Sequence, residues 1–555
     1  MTRLQKTGVI GRTVVFRLNK EQRTAYCEVI YLVYFAVMIS ARALGMYEGT
    51  TVYTAVLLIA IFLFGCKILM TDHTMAEYVV IGALMGISGV VYLHTGEKGL
   101  IVCFMTVLGM KYVNHYKVIR IGTVCAAVCI IFRIITGVFG ILPEKYYPQV
   151  RDGVGLMFRH SLGYAHPNTL HMNVLMLSML IIYLLTSWLK YGDPAMNARD
   201  RLLTLLSVSV IVMGFNYYVF MYSGSRTGLL ASAAFLIVNL WFFLRPEPGL
   251  PEKLVCYAAY PTVCFIAIVL PFILPDSVFD KIDRTIFTTR FSIARYYMSN
   301  NSISVWGIRL NNPLPEYRTY GLDMSHMYLF LQLGLVAFAT VSIMTMVFVY
   351  RALSKKMMCE MAVLLGTLFA GIWEPFLYNL GFKNITYVFM GALLYEITSR
   401  QEYVIKWKTD NGAVSFKRSM VEILNPRALL WLMAISVMTG TAVSAVWIAA
   451  TPPPTALYGN LSQDESGQGF GMEELYLTAE DIRQLKDQGD MIIGYNDSRT
   501  PMYRYDSGIA EMEYRKKALS VGVWTGTMTA IVMGVFIYPR IRKKYKTNAG
   551  SDKKR

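Results

Sequence analysis

Long apolar runs recur along the chain, and short polar or charged connections separate them. Most of these runs hold about 18 or more apolar residues, the length that a helix needs to cross a hydrocarbon core of ~30 Å. A helix satisfies its own backbone hydrogen bonds in lipid, whereas a barrel would need short alternating segments, which the sequence lacks. The pattern therefore predicts an all-α, polytopic helical membrane protein.

Fourteen spans are predicted, of which about twelve form a core and two form a C-terminal module. They cover residues 24–43, 50–69, 75–93, 100–111, 119–142, 166–186, 202–221, 227–244, 255–274, 325–351, 360–379, 384–398, 428–449 and 519–538. The fourth and the twelfth are short for a membrane crossing.

Basic residues are concentrated in every second connection between the predicted spans. With the N-terminus inside, the cytoplasmic connections carry Lys111 and Lys117, 190–201, 245–253, Lys355 and Lys356, and 400–427. The net charge of +17 is then cytoplasmic loop charge that follows the positive-inside rule, and not a nucleic-acid-binding surface. We expect a multi-pass protein of the cytoplasmic membrane with both termini in the cytoplasm.

The same pattern divides the chain into four parts. Residues 1–23 form a basic cytoplasmic N-terminus without a cleavable signal, and residues 24–400 form a membrane core with long outer loops at 143–165 and 275–324. Residues 401–427 are a cytoplasmic linker. Residues 428–555 form a two-helix module with an acidic outer segment at 451–518 and a basic cytoplasmic tail. The eight cysteines contain no CxxC pair, so neither a disulfide framework nor a zinc site is predicted.

Arginine is frequent in the outer connections, where positive charge is normally avoided. These arginines are Arg151, Arg159, Arg226, Arg284, Arg290, Arg295, Arg309 and Arg318. A guanidinium group binds phosphate through paired hydrogen bonds and keeps its charge, as a protein handling a lipid phosphate would require. Anchoring to head groups, or pairing with acids such as Asp283 and Glu316, is the simpler alternative.

Arg226 is the most informative of these arginines. It lies in the stretch MYSGSRTGLL, in a turn of a few residues between two apolar runs. Gly224 and Gly228 flank it, and glycine lets backbone and ligand approach closely. We therefore predict that Arg226 binds a substrate phosphate.

Three further segments carry candidate chemistry. In GYAHPNTLHMN, His166 and Asn168 flank a proline at a predicted helix start. A helix start favours an anion, although a plain proline-started helix with a satisfied histidine fits equally well.

In GLDMSHMYLFLQLG, Asp323 and His326 are three residues apart, so one helical face would present both side chains and either could act as a base. The alternative is that Asp323 only caps the helix. In GIWEPFLYNLGFKN, Glu374 is an intramembrane acid with a functional, structural or gating role.

These segments, taken in order, resemble the O-antigen ligase/polymerase superfamily, and in particular the Wzy-like oligosaccharide repeat-unit polymerases of the Gram-positive type. AHPNTLH is similar to the HPN segment of that family, and SGSRTGLL to its S-R-x-G motif. TTRFSIARYYMSNNSISVWGIRL resembles the arginine-led stretch of its large outer loop. LDMSHMYLFLQLGLV and GIWEPFLYNLGFKN resemble its two late motifs. The likeness covers roughly residues 20–400, and it departs from the family at Met324 and His326, where Asn and Tyr are usual.

The resemblance implies a GT-C-like membrane core and a defined reaction. Such enzymes join polyprenyl-diphosphate-linked oligosaccharides at the outer leaflet, with undecaprenyl diphosphate as the leaving group. Asp323 or His326 would then be the base. The substrate-binding group would be Arg226, Arg290, Arg295, Ser225, His166 and Asn168. Neither a metal nor another cofactor is expected, because fixed arginines can stabilise the diphosphate.

Three other functions fit parts of the same pattern, and one of them is a non-catalytic scaffold whose C-terminal module docks a partner. A ligase would move a finished glycan to a different acceptor with the same site. A flippase or transporter of lipid-linked sugars would place its charges at mid-membrane depth on several helices, whereas here most charged candidates lie at the outer helix ends. The bilayer and the lipid-linked oligosaccharide are the expected partners, and a chain-length regulator or another polysaccharide-assembly protein is a further one. Nucleic acid is not expected.

Overall fold

The computed structural model describes residues 19–142, 146–151, 155–191, 196–313, 321–401, 426–454, 456–460, 471–475, 503–504 and 507–537. Eleven helices in these ranges are long and apolar enough to cross a membrane. The protein is therefore a helical, multi-pass membrane protein, as the hydrophobic pattern predicts.

The helices follow the predicted spans closely in the first half of the chain. The first nine are α1 Lys20–Ala43, α2 Thr51–Met70, α3 Met75–Thr95, α4 Gly99–Leu108, α5 His115–Val138, α6 Pro167–Tyr191, α7 Ala198–Ser223, α8 Arg226–Leu244 and α9 Leu250–Ile273. The later ones are α10 Asp276–Ile282, α11 Arg290–Asn300, α12 Ser325–Met327, α13 Leu335–Ser354, α14 Met358–Gly371, α15 Thr386–Ser399, α16 Pro426–Ala450 and α17 Ser507–Ile531. Single π-helical turns continue α10 to Phe287, α12 to Gln332 and α17 to Ile537.

Two small β-elements lie in the long connections. Strands β1 (Tyr146–Arg151) and β2 (Gly155–His160) form an antiparallel hairpin between α5 and α6. Strands β3 (Ala456–Asn460), β4 (Gly471–Leu475) and β5 (Tyr503–Arg504) form a sheet in the order β4-β3-β5 between α16 and α17. The outer loop predicted at 143–165 thus carries the hairpin, and the one predicted at 275–324 carries α10 and α11.

Helix α6 is the central element of the bundle, because 83% of the residues in its most apolar 18-residue stretch are buried. Asn216 of α7 donates to the Ser178 hydroxyl of α6 over 2.8 Å, and Ser232 of α8 donates to the Asn216 side chain over 2.7 Å. Buried polar side chains satisfy one another across membrane helices in this way. The three helices whose ends surround the candidate site are therefore held together in the core.

The tenth predicted span, 325–351, is not continuous as expected. The chain breaks at Gly334, which has a φ of +89°, before α13 begins at Leu335. The connection between α11 and α12 lies against this break, where Ile308 N–H donates to the Gln332 carbonyl over 3.0 Å. A Cβ on Gly334 would lie 2.2 Å from the Gly307 nitrogen, so this close backbone contact requires glycine. The next helix is also shorter than predicted and ends at Gly371.

The two helices of the C-terminal module pack through small residues. Gly440 on α16 faces Gly522 on α17, where a Cβ would lie 2.4 Å from the Gly522 carbonyl oxygen. The Ser436 hydroxyl donates to the Gly526 carbonyl over 2.6 Å. Small residues with this spacing allow membrane helices to approach closely. Helix α17 also packs along α7, so the module contacts the core.

Candidate functional site

A cavity of about 690 Å³ opens at the end of the bundle where α6 begins and where α7 turns into α8. Strand β2, the segment between α10 and α11, and the stretches before α12 and after α14 complete its wall. The charged and amide side chains that line it are Arg159, Asn168, Arg226, Arg284, Arg290 and Asp323. Four guanidinium groups therefore converge on a space large enough for a small ligand.

Arg290 is braced on the backbone around the cavity, and its side chain is only 8% exposed. Its Nε donates to the Trp373 carbonyl over 2.6 Å. Its Nη1 donates to the Phe287 carbonyl over 3.2 Å and to the Thr288 hydroxyl over 2.9 Å. Thr288 and Thr289 both have positive φ, at 48° and 70°, which is strained for β-branched residues and places Arg290 at the first position of α11.

Arg159 is the second braced guanidinium. Its Nε donates to the Ser223 carbonyl at the end of α7 over 2.7 Å, and its Nη2 donates to the Asn168 side-chain oxygen. Asn168 in turn donates to Glu374 Oε1 over 3.0 Å, and Arg290 Nη2 lies 3.3 Å from the same oxygen. The two braced arginines are thus linked through one amide and one carboxylate.

Arg226 and Arg284 differ from this pair. Both side chains are exposed toward the cavity, and neither has a hydrogen-bond or ion-pair partner among the described residues. Arg226 is the first residue of α8, where the Ser225 hydroxyl accepts from Gly228 N–H over 3.4 Å. Two charged groups at the cavity are therefore available to a ligand without loss of an internal contact.

The flanking glycines serve the turn and the packing of the helices. Gly224 has a φ of +58° and ends α7 in the left-handed conformation. Gly228 lies against the imidazole of His171, where a Cβ would come within 2.4 Å of the ring. The expectation that both glycines admit a ligand is corrected at Gly228, because its space is filled by a side chain of α6.

Two carboxyl groups share Arg290. Asp323 Oδ2 lies 3.7 Å from Nη2, and its side chain is 40% exposed in the cavity. Burial raises the pKa of Asp323, and the charge of Arg290 opposes that rise. Glu374 is buried behind the wall, where burial raises its pKa to about 7; Arg290 counteracts this effect, and Asp323 adds to it. Glu374 can therefore exchange a proton near neutral pH, and the raised pKa of Asp323 makes its carboxylate a better proton acceptor than an unperturbed one.

His166 adjoins the cavity without lining it. Its Nδ1 accepts from Asn168 N–H over 3.2 Å, so the imidazole caps α6, which begins at Pro167 as predicted. Its ring packs edge-on against Tyr147 of the hairpin. Burial lowers the pKa of His166 to about 4, and the charges of Arg159 and Arg290 add to this effect. The histidine is therefore neutral and positions Asn168.

His326 is not brought to the cavity. It is fully buried, and its ring packs edge-on against Tyr260 and Tyr378. The expectation that it shares a helical face with Asp323 is wrong, because the helix begins at Ser325 and leaves Asp323 in the preceding extended segment. Of the two predicted bases, only Asp323 faces the cavity.

Arg295 lies on the other side of α11. Its Nε donates to the Pro271 carbonyl over 2.6 Å, and its guanidinium stacks 3.5 Å from the Phe279 ring. It also lies 3.3 Å from Asp276. The structure therefore places this arginine, which is predicted to bind substrate, in a packing contact between helices. Asp283 is not its partner, because that carboxylate caps α11 by accepting from Phe291 N–H over 2.9 Å.

Two arginines of the cavity belong to the outward set but were not singled out by the motifs. Arg159 precedes the HPN-like segment by a few residues. Arg284 lies just before the motif that contains Arg290. Trp373 also lines the cavity, next to Glu374. Arg318, Glu316 and the side chain of Arg151 lie outside the described residues.

The arrangement is suited to an anion with several charges. The lining has four guanidinium groups and one carboxylate, so the cavity is positive overall. Fixed donors in a partly enclosed space stabilise negative charge strongly because they need little reorganisation.

No protein-family model matches the chain, and comparisons with characterised proteins and with solved structures return no match.

Proposed function

We propose that this protein is a membrane glycosyltransferase that polymerises undecaprenyl-diphosphate-linked oligosaccharide units into a surface polysaccharide, such as a capsule or an exopolysaccharide. The observation that carries the proposal is the convergence of four guanidinium groups and Asp323 in one cavity at the helix ends. A diphosphate ester needs multiple fixed positive charges, and a sugar hydroxyl needs a base. Both are available within this cavity.

The arginines act on the leaving group in this proposal. Arg226 and Arg284, which have no partner among the described residues, bind the diphosphate oxygens through paired hydrogen bonds. Arg159 and Arg290 stay in their braced positions and supply positive potential where charge develops as the glycosidic bond breaks. This division lets the ligand enter without disrupting the wall.

Asp323 is the proposed general base. The hydroxyl oxygen of one lipid-linked unit forms a bond to the anomeric carbon of another, and its proton passes to the Asp323 carboxylate. The bond between that carbon and the diphosphate oxygen breaks, and its electron pair leaves with undecaprenyl diphosphate. Glu374 contacts the same Arg290 guanidinium as Asp323, so the protonation state of Glu374 influences the charges of Arg290 and Asp323.

The proposal includes an orientation and a fold family. With the basic connections in the cytoplasm, the cavity lies at the outer face of the cytoplasmic membrane and both termini lie inside. The helical core is then of the GT-C-like type, and the chain-length of the product depends on this protein or on a regulator bound to it. A labelling experiment on loop cysteines introduced at 309 and 355 tests the orientation: only the first should react from outside.

A deletion strain tests the function. The gene is restored as wild type, as Arg226→Ala, or as Arg309→Ala, a control arginine that is exposed in the outer connection and does not line the cavity. Lipid-linked glycans are then sized on a gel. We expect single units to accumulate on the outer leaflet in the deletion and the Arg226→Ala strains, but not in the Arg309→Ala strain.

The other outcomes identify the competing functions. Accumulation of long lipid-linked chains would assign the protein as a ligase that transfers finished glycan to another acceptor. Accumulation of units on the inner leaflet would assign it as a flippase, and the arginines would then belong to a transport path.

A further inference from the structure

Helix α17 of the C-terminal module contacts the cavity wall through strand β2. His160 Nε2 of β2 lies 2.7 Å from Glu513 Oε2 of α17. Lys516 Nζ lies 2.6 Å from the other oxygen of Glu513 and donates to the Phe158 carbonyl over 3.1 Å. All three charged or titratable side chains are at most 7% exposed. Breaking such a buried group costs more than losing a surface ion pair, because its partners are left unpaired.

The alternation of side chains along β2 connects this group to the cavity. Successive residues of a strand point to opposite faces. His160 contacts α17 through its side chain and Phe158 does so through its carbonyl, whereas Arg159 between them donates to the Ser223 carbonyl and lines the cavity. One strand therefore has the C-terminal module on one face and a cavity guanidinium on the other.

The end of α7 repeats this arrangement. Tyr222 OH donates to the Lys516 carbonyl over 3.2 Å and also contacts the Ser520 hydroxyl. The next residue, Ser223, offers the carbonyl that holds Arg159. Further along the same interface, Trp524 Nε1 donates to Tyr218 OH over 3.1 Å. Both elements that hold Arg159 are therefore braced on α17.

We propose that Glu513 is a positioning residue that acts through β2 on Arg159, so that the C-terminal module is a working part of the anion-binding cavity. This inference rests on the proposed function for its biological meaning, but the positioning itself is a property of the fold.

The first test is hydrogen exchange on the purified full-length protein, which needs no substrate. Glu513→Gln removes the buried charge and should speed exchange of the β2 amides 155–160. Glu511→Gln is the matched control, because Glu511 pairs with Arg515 over 2.6 Å on the exposed side of the same helix. Glu513→Asp is a milder variant that keeps the charge, and its effect should be smaller. Equal exchange in β2 for Glu513→Gln and Glu511→Gln would overturn the proposal.

The second test separates positioning from general loss of structure. Inorganic pyrophosphate is titrated onto wild type, Glu513→Gln, Arg159→Gln and the double variant by calorimetry. We expect Glu513→Gln to weaken binding on the order of tenfold in the wild-type background and to have no further effect when Arg159 is already replaced. Independent, multiplying losses would contradict the proposal. A wild type that binds no pyrophosphate would count against the proposed function, and exchange in β2 would then decide the positioning.

Discussion

Replacing Glu374 by glutamine should change how the stability of the protein depends on pH. Glu374 is 8% exposed, and burial raises its pKa from 4.5 to about 7 despite the neighbouring Arg290. The unfolded chain loses this proton near pH 4.5, whereas the folded chain keeps it until about pH 7. Between these values the folded state binds more protons, so the contribution of this group to stability falls as the pH rises.

The expected magnitude follows from the shift. A difference of about 2.5 pKa units corresponds to about 3 kcal/mol between the two ends of this window. Glutamine mimics the protonated acid, because its side-chain oxygen can still accept from Asn168 and Arg290. The variant and the wild type should therefore have similar stability at pH 4.5, and the variant should be more stable by about 3 kcal/mol at pH 8.

The assay compares thermal unfolding of the two purified proteins in the same detergent between pH 4.5 and pH 8. The other titrating groups are common to both proteins and cancel in the difference between the two melting temperatures, except Asp323, whose charge is coupled to that of Glu374 through Arg290. The melting temperature of Glu374→Gln should rise relative to that of the wild type as the pH rises. Parallel curves, or a wild type that gains on the variant toward pH 8, would refute the assignment of Glu374 as an acid held protonated by its burial.

Three further variants test the division of labour among the other residues. Arg284→Ala should leave the melting temperature unchanged, because the side chain is exposed and has no partner among the described residues, but should lower polymer synthesis by about 10²-fold in a lipid-linked glycan assay. Arg295→Ala should do the reverse: its melting temperature should fall because the contacts with Phe279 and the Pro271 carbonyl are lost, and its binding of pyrophosphate should change little. Tight pyrophosphate binding by a destabilised variant is the expected pair of results. Gly526→Leu should separate α16 from α17, because even a Cβ would lie 2.6 Å from the Ser436 carbonyl oxygen, and cysteine crosslinking between the two helices would detect it.

Much of the fold is predictable because it depends on local pattern. The apolar runs fix most helices, and the α7–α8 turn follows from Gly224 and the cap at Ser225. The break at Gly334 is different. It is determined by Gly307 in the connection between α11 and α12, which lies 27 residues earlier and fits against the chain only after folding. A hydrophobic pattern without a proline or a charge at that point predicts an unbroken span.

Prediction of the candidate site from the sequence has the same limit. Arg226, Arg290, Asn168 and Asp323 are marked by motifs, and the structure brings them to one cavity. His326 is marked by the same reasoning but lies in the core, since the helix starts later than its sequence suggests. The acid–arginine network depends on contacts between distant segments, and spacing along the chain carries no information about them.

The proposed function requires one cavity to bind a charged ligand and then release it, and the two kinds of arginine are suited to both steps. Four mobile guanidinium groups would have to be ordered by each ligand, at a cost in side-chain entropy for every one. Four fully braced groups would have their donors occupied by the wall, with few left to contact the ligand. Here Arg159 and Arg290 are held by backbone carbonyls and keep a fixed positive potential, whereas Arg226 and Arg284 have no partner among the residues that the structure describes. The wall is thus organised before the ligand arrives, and the contacts that recognise the ligand remain available to form and to break.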